Sequence, residues 1–121
     1  MGVILCGEVR VYVHNGRVHK LFSDIDDELM KKIEDHVFSK KHLERGIMDL
    51  GTSRSDILNK GFDIVKELDG KRLIKEGHNQ IKTHISGIES EIRIFVKDGK
   101  MINFDMFKGW SGRNMGNTIP Y

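Results

Sequence analysis

The hydrophobic period of this chain changes once, near residue 71, and that change limits the folds open to it. Ile25, Leu29, Ile33 and Val37 recur at four-residue intervals behind the acids of Ser23-Asp-Ile-Asp, as an amphipathic helix requires. Ile57, Leu58, Phe62, Val65 and Leu68 form a second such stripe, opened by a capping box at Ser53 and Asp56 and closed by Gly70. Between them, Lys40 to Leu50 reads as a short helical piece ended by Gly51-Thr52. Beyond Lys71 the apolar residues alternate: Ile81, Thr83 and Ile85, then Ile92, Ile94 and Val96. Lys97-Asp98-Gly99-Lys100 turns the chain into a strand over Met101 to Phe107, and a last strand is expected around Thr118 to Tyr121. At the other end, Val3 to Val13 and Val18 to Phe22 flank Asn15-Gly16, a strong hairpin signal. Helices grouped before strands predict an α+β fold, with an N-terminal hairpin and helices packed on a small antiparallel β-sheet.

One domain is expected over 1–121. It divides into a hairpin extension or linker (1–22), a helical part (23–70) and an antiparallel meander (71–121). At 121 residues, such a unit buries about 65% of its unfolded surface. Composition excludes two other classes: with 38% hydrophobic and 31% charged residues it is not a disordered chain, and no apolar run approaches the ~20 residues of a membrane helix. No membrane partner is expected. Gly2 to Cys6 lacks the length and basic flank of a secretory signal, so export would depend on sequence outside this segment. Cys6 has no partner for a disulfide and reads as a small apolar strand residue.

Chemistry concentrates first in His36-Val-Phe-Ser-Lys-Lys-His42. On one unbroken helix these histidines would stand about 120° apart around the axis. Ser39, however, is a natural N-cap for the run Lys40 to Arg45, and a chain that stops and restarts there can bring both imidazoles together. Two convergent imidazoles near neutral pH can move protons in both directions. The competing structural reading is a histidine at a helix C-terminus, held by the dipole alone.

The meander supplies further polar groups. Its outer face carries Lys82, His84, Arg93, Lys97, Asn103 and Asp105, which a wet sheet surface would also explain. Gly109-Trp110-Ser111-Gly112-Arg113 offers an aromatic platform, a hydroxyl and a guanidinium suited to a phosphate and a stacked base. Lys75-Glu-Gly-His78-Asn79 has the density of a functional loop. His78 and His84 would stand about 20 Å apart along a strand, so at most one belongs to a single site. Thr83 falls among inward positions, where its hydroxyl needs a partner. Net charge is +2 and unevenly spread, with 11 basic against 13 acidic residues over 1–70 and 9 against 5 over 71–121. A local basic patch, not a global field, would meet an anion.

Taken in order, His36-Val-Phe-Ser-x-x-His42-x-x-x-Gly46, Leu50-Gly51-x-Ser53, Lys75-Glu76-Gly77-x-Asn79-x-Ile81-x-Thr83, Ile92-Arg93-x-Phe95-x-Lys97-Asp98-Gly99 and Asn103-x-Asp105-x-Phe107-x-Gly109-x-Ser111-x-Arg113 resemble a C-terminal ribonuclease domain of bacterial polymorphic toxins. The resemblance covers roughly residues 33 to 119. Such domains, delivered by contact-dependent inhibition and related systems, are grouped with the barnase, EndoU, colicin and RelE nucleases as the BECR fold, in which N-terminal helices pack on a four-stranded antiparallel sheet. The resemblance implies a metal-independent endoribonuclease toxin that needs no cofactor. Its usual target is transfer RNA, cut to a 2′,3′-cyclic phosphate in the cytoplasm of a target cell, and a cognate immunity protein protects the producer. Carried onto this chain, the catalytic set is His36, His42, Thr83 and Arg93, with Lys75, Asn79, Ser111 and Arg113 binding substrate.

Two other classes compete. A metal-dependent nuclease would recruit histidines, Asn103 and Asp105, but the sequence has no His-Glu-x-x-His helix, paired cysteines or dense carboxylate cluster. A non-catalytic binding module would account for the mild charge while asking nothing of the histidines.

Overall fold

The computed structural model describes residues 20–23 and 25–121 in full, and the backbone of the strands β1 (Val3–Cys6), β2 (Val9–His14) and β3 (Arg17–Val18). These three form an antiparallel sheet in the order β1-β2-β3, with His14 opposite Arg17. The expected long first strand is therefore two strands, and the return strand is shorter than expected because Lys20–Phe22 winds into a 3-10 turn that buries Leu21 and Phe22. The Asn15-Gly16 turn and the packing of the Cys6 side chain lie outside the described residues.

Three helices follow. Helix α1 (Asp27–Val37) is capped by Asp26, whose carboxylate accepts from the Leu29 N–H at 2.8 Å, and not by Ser23. Its buried stripe is Met30, Ile33 and Val37. The helix stops at Val37, and Ser39 caps α2 (Lys40–Glu44), its hydroxyl accepting from the His42 N–H at 3.4 Å. The piece expected to run to Leu50 is broken by Gly46 at φ +95°, a left-handed conformation that glycine adopts freely, and resumes as a 3-10 turn over Ile47–Leu50. Helix α3 (Arg54–Gly70) starts on Ser53, which accepts from the Asp56 N–H at 3.1 Å, while Asp56 accepts from the Thr52 N–H at 2.9 Å. None of the described helices is long and apolar enough to cross a membrane.

Strands β4 (Gly77–Ile85), β5 (Ile88–Lys97) and β6 (Lys100–Lys108) form the antiparallel meander, and β7 (Asn117–Pro120) pairs with β4, giving the order β6-β5-β4-β7. Both hairpins turn through two residues of positive φ, Ser86-Gly87 and Asp98-Gly99, the geometry that matches strand twist. One expectation is corrected: β7 runs parallel to β4, so the sheet is mixed. The reason is the path of 109–116, which leaves β6 at one end of the sheet and crosses its polar face to the start of β4. The other face is the core, where Ile81, Ile92, Ile94, Phe104 and Met106 pack with the buried faces of α1 and α3. Phe62 of α3 meets Phe104 with ring centroids 4.8 Å apart. The architecture is α+β, with helices on a four-stranded mixed sheet.

Candidate active site

The strand register sorts the outward side chains into rows across the sheet. Gln80, Arg93 and Asp105 are direct neighbours on β4, β5 and β6, flanked by the row His78, Phe95, Asn103 on one side and the row Lys82, Glu91, Phe107 on the other. Strand β6 is the edge of the sheet beside which α1 ends and α2 begins. There the two histidines meet Asp105: His36 Nε2 lies 3.4 Å from Oδ2 and His42 Nδ1 lies 3.6 Å from Oδ1. Their rings are nearly parallel, 6.2 Å between centroids at 15°. The stop at Val37 and restart at Ser39 thus do bring both imidazoles to one carboxylate.

The two imidazoles differ in setting. His42 is buried, and its Nδ1 lies 3.0 Å from the Val37 carbonyl oxygen. A carbonyl can only accept, so Nδ1 carries the proton and the neutral ring keeps its lone pair on Nε2. His36 is half exposed. Burial pushes the Asp105 carboxyl above its ordinary value; the nearby His36 and His42, the Met106 N–H and Arg93 pull the other way without cancelling it.

Arg93 is fixed from behind. Its Nε donates to Glu91 at 2.7 Å and its Nη2 to the Ser111 hydroxyl at 2.8 Å, while the guanidinium carbon lies 5.1 Å from the Phe107 ring centroid. Glu91 is fully buried. Burial opposes its ionisation, but donors from Gln80, the Ser111 N–H, Arg93 and the Ser111 hydroxyl outweigh that effect and hold the carboxyl below its ordinary value. The same network ties down the crossing segment. Gln80 donates to the Arg113 carbonyl at 2.7 Å and accepts from the Met115 N–H at 2.9 Å, and Trp110 Nε1 donates to the carbonyls of Thr83 and Ser90.

Around this centre opens a cleft of about 860 Å³ whose rim carries Lys41, Arg45, Lys108 and Arg113. Lys108 is paired with Asp49 at 2.7 Å. Asp105 is the only carboxylate lining the cleft among the described residues. An array of cations, two imidazoles and one carboxylate suits an anionic substrate whose reaction needs protons moved. Among the described residues, no three His, Cys, Asp or Glu side chains are grouped to hold a metal ion.

Of the residues the sequence singles out, His36, His42, Arg93, Ser111 and Arg113 line this cleft. Thr83, Asn79 and Lys75 are not brought to it. Thr83 is buried on the core face, opposite Ser90. The Asn79 side chain closes the preceding loop, accepting from the Lys75 N–H at 2.8 Å and donating to the Lys75 carbonyl at 2.7 Å. Lys75 is exposed and outside the cleft. Sequence reasoning missed the bridging place of Asp105 and the anchoring role of Glu91 and Gln80. The signal for Asp105 was its outward phase in a strand that had to pair with the one carrying Arg93.

A family model described as bacterial toxin 35 matches residues 30–110, a span running from α1 through the meander to Trp110. No curated protein and no solved structure matches the chain.

Proposed function

The chain belongs to the bacterial toxin 35 family, and on that premise we propose that it is a metal-independent endoribonuclease toxin of the BECR type. Its substrate is RNA, with transfer RNA the expected class, cut by histidine acid–base chemistry. The observation that carries this reading is Asp105 held between His36 and His42, in register with Arg93, on the floor of a basic cleft.

The tautomers suggest an order of events. His42, with its Nδ1 proton directed at Val37 and Asp105, takes the ribose 2′-hydroxyl proton on Nε2 as general base. The 2′-oxygen attacks the adjacent phosphorus, and the bond to the 5′-oxygen breaks. Protonated His36, with one N–H toward Asp105, gives the proton on Nδ1 to that leaving oxygen. The products are a 2′,3′-cyclic phosphate and a 5′-hydroxyl. Asp105 orients both rings and offsets the imidazolium charge. Arg93, already positioned by Glu91 and Ser111, stabilises the added charge on the pentavalent phosphate without reorganising. Lys41, Arg45 and Arg113, which have no ion pair among the described residues, bind flanking phosphates. Thr83 and Lys75 take no part, and Asn79, which lines the smaller hollow beside this centre, takes none in the proton transfers. Such an enzyme endangers its producer, so a cognate immunity protein presenting an acidic face to the cleft is the expected partner, and the target-cell cytoplasm the place of action.

The test is incubation of the protein with total RNA in excess EDTA, beside His36→Ala and His42→Ala. Discrete fragments ending in cyclic phosphate are expected, with each variant slower by about 10²-fold or more, the scale of lost acid–base catalysis. Cleavage by either variant within about threefold of wild type, or cleavage abolished by EDTA, would overturn the mechanism.

A further inference from the structure

Beside the catalytic row, and sharing His36, Arg93 and Asp105 with that centre, lies a second hollow whose remaining side chains the proposed chemistry does not use. A pocket of about 230 Å³ and an adjoining groove of about 660 Å³ are lined by His78, Phe95 and Asn103. His36 lines both of these hollows as well as the main cleft, so they open onto the reacting centre from its other side. His78, Phe95 and Asn103 are direct cross-strand neighbours on β4, β5 and β6. The His78 and Phe95 rings are packed with centroids 4.6 Å apart. Phe95 keeps part of its surface open on the sheet face turned away from the core. An aromatic pair there contributes nothing to the core, but it is the arrangement on which nucleobases stack. The Asn103 side-chain oxygen already accepts from the Phe104 N–H at 3.0 Å, leaving the amide NH2 to donate to a base-edge acceptor. Lys32 of α1 adds a cation at the groove's edge.

We propose that His78, Phe95 and Asn103 form a nucleobase subsite holding one of the two nucleotides that flank the cleaved bond, and that it sets which base is accepted there. This rests on the ribonuclease reading above. The spacing supports it. Phe95 is two residues from Arg93 on the same strand, a step of about 6.6 Å, so a single nucleotide can place its phosphate at Arg93 and its base on Phe95. The main cleft, with Trp110 and Arg113, takes the chain on the other side of the break.

Two measurements on the full chain separate this proposal from its premise. The first is cleavage of the sixteen ribodinucleoside monophosphates by wild type, Phe95→Ala, Phe95→Leu and Asn103→Ala. Phe95→Ala is expected to raise KM about tenfold or more, within the range of a lost base–aromatic stack, with kcat changed less than threefold. Phe95→Leu keeps an apolar side chain on the strand and should show the same KM effect if the ring face matters. Asn103→Ala should flatten the base preference at one position only. The second is binding of a 2′-O-methyl dinucleotide, which cannot be cleaved, followed by titration in NMR spectra. Phe95→Leu should weaken it by a similar factor. Wild type that cleaves, with unchanged KM, preference and binding in Phe95→Leu, overturns the subsite and leaves the ribonuclease reading standing. Wild type that binds the 2′-O-methyl ligand through Phe95 but cleaves neither the dinucleotides nor total RNA supports a base-binding site there and overturns the chemistry. No binding and no cleavage overturn both.

Discussion

At the scale of single residues, Asp105 carries opposing demands. It is largely withdrawn from water, and burial raises its pKa more than His36, His42 and the Met106 N–H lower it. A carboxyl whose folded-state pKa lies above its unfolded value binds its proton more tightly in the native protein. Its contribution to stability therefore grows as pH falls through the folded value and is unfavourable at neutral pH. Asp105→Asn keeps the shape and removes that penalty. At pH 7 the variant should melt at or above the wild-type temperature, while RNA cleavage falls by about 10²-fold or more, as when a histidine loses the carboxylate that orients it. The melting-temperature difference should shrink as pH is lowered toward the range where wild-type Asp105 is protonated. A variant that melts well below wild type at pH 7, or that cleaves normally, would refute this. Two of the three residues in this cluster were legible in the sequence, because a hydroxyl cap between His36 and His42 announces a break. Asp105 was visible only as one outward polar residue among several. Its role depends on strand register and on α1 ending beside the β6 edge, neither of which residue spacing along one segment encodes.

At the scale of elements, the site depends on a joint. Helix α1 ends at Val37, whose carbonyl meets His42, and α2 is capped by Ser39, whose hydroxyl accepts from the His42 N–H. Both ends of the joint thus grip the same histidine. Ser39→Ala removes one grip and should cost about 1 kcal/mol of stability, the usual value of an N-cap, with a severalfold loss of kcat and little change in KM. Ser39→Asn, which can still cap, should restore most of both. Equal kcat in the three proteins, measured beside their denaturation midpoints, would show that the cap does not position His42. The period switch made the helices and the three-stranded meander legible, since burial phase alone specifies them. The parallel pairing of β7 was not legible. It follows from where 109–116 crosses the sheet, and that path is fixed by the buried Gln80 and Glu91 and the half-buried Ser111, polar groups whose contacts lie 20 to 35 residues apart in sequence.

At the scale of the whole molecule, charge along the chain and charge in space tell different stories. The first 70 residues are net acidic and the remainder net basic, yet the cleft draws Lys41 and Arg45 from the acidic half to stand with Arg93 and Arg113 from the basic half. Folding therefore concentrates positive charge that a net of +2 conceals. Arg93 is offset by the buried Glu91 and Lys108 by Asp49, so the cations that release counterions from RNA should be chiefly Lys41, Arg45 and Arg113. Three phosphate contacts on a single strand give a slope of about −2 for log affinity against log salt, from about −0.7 per contact. The slope is measured with a 2′-O-methyl oligonucleotide, so that binding is read without cleavage. Replacing any one of the three by Ala should bring the slope about 0.7 nearer to zero. Lys100→Ala, on a residue outside the cleft, should leave it unchanged. Losses that are equal at the cleft and at Lys100 would mean that RNA meets a diffuse field, in which case an acidic immunity protein aimed at this cleft would gain little from charge complementarity.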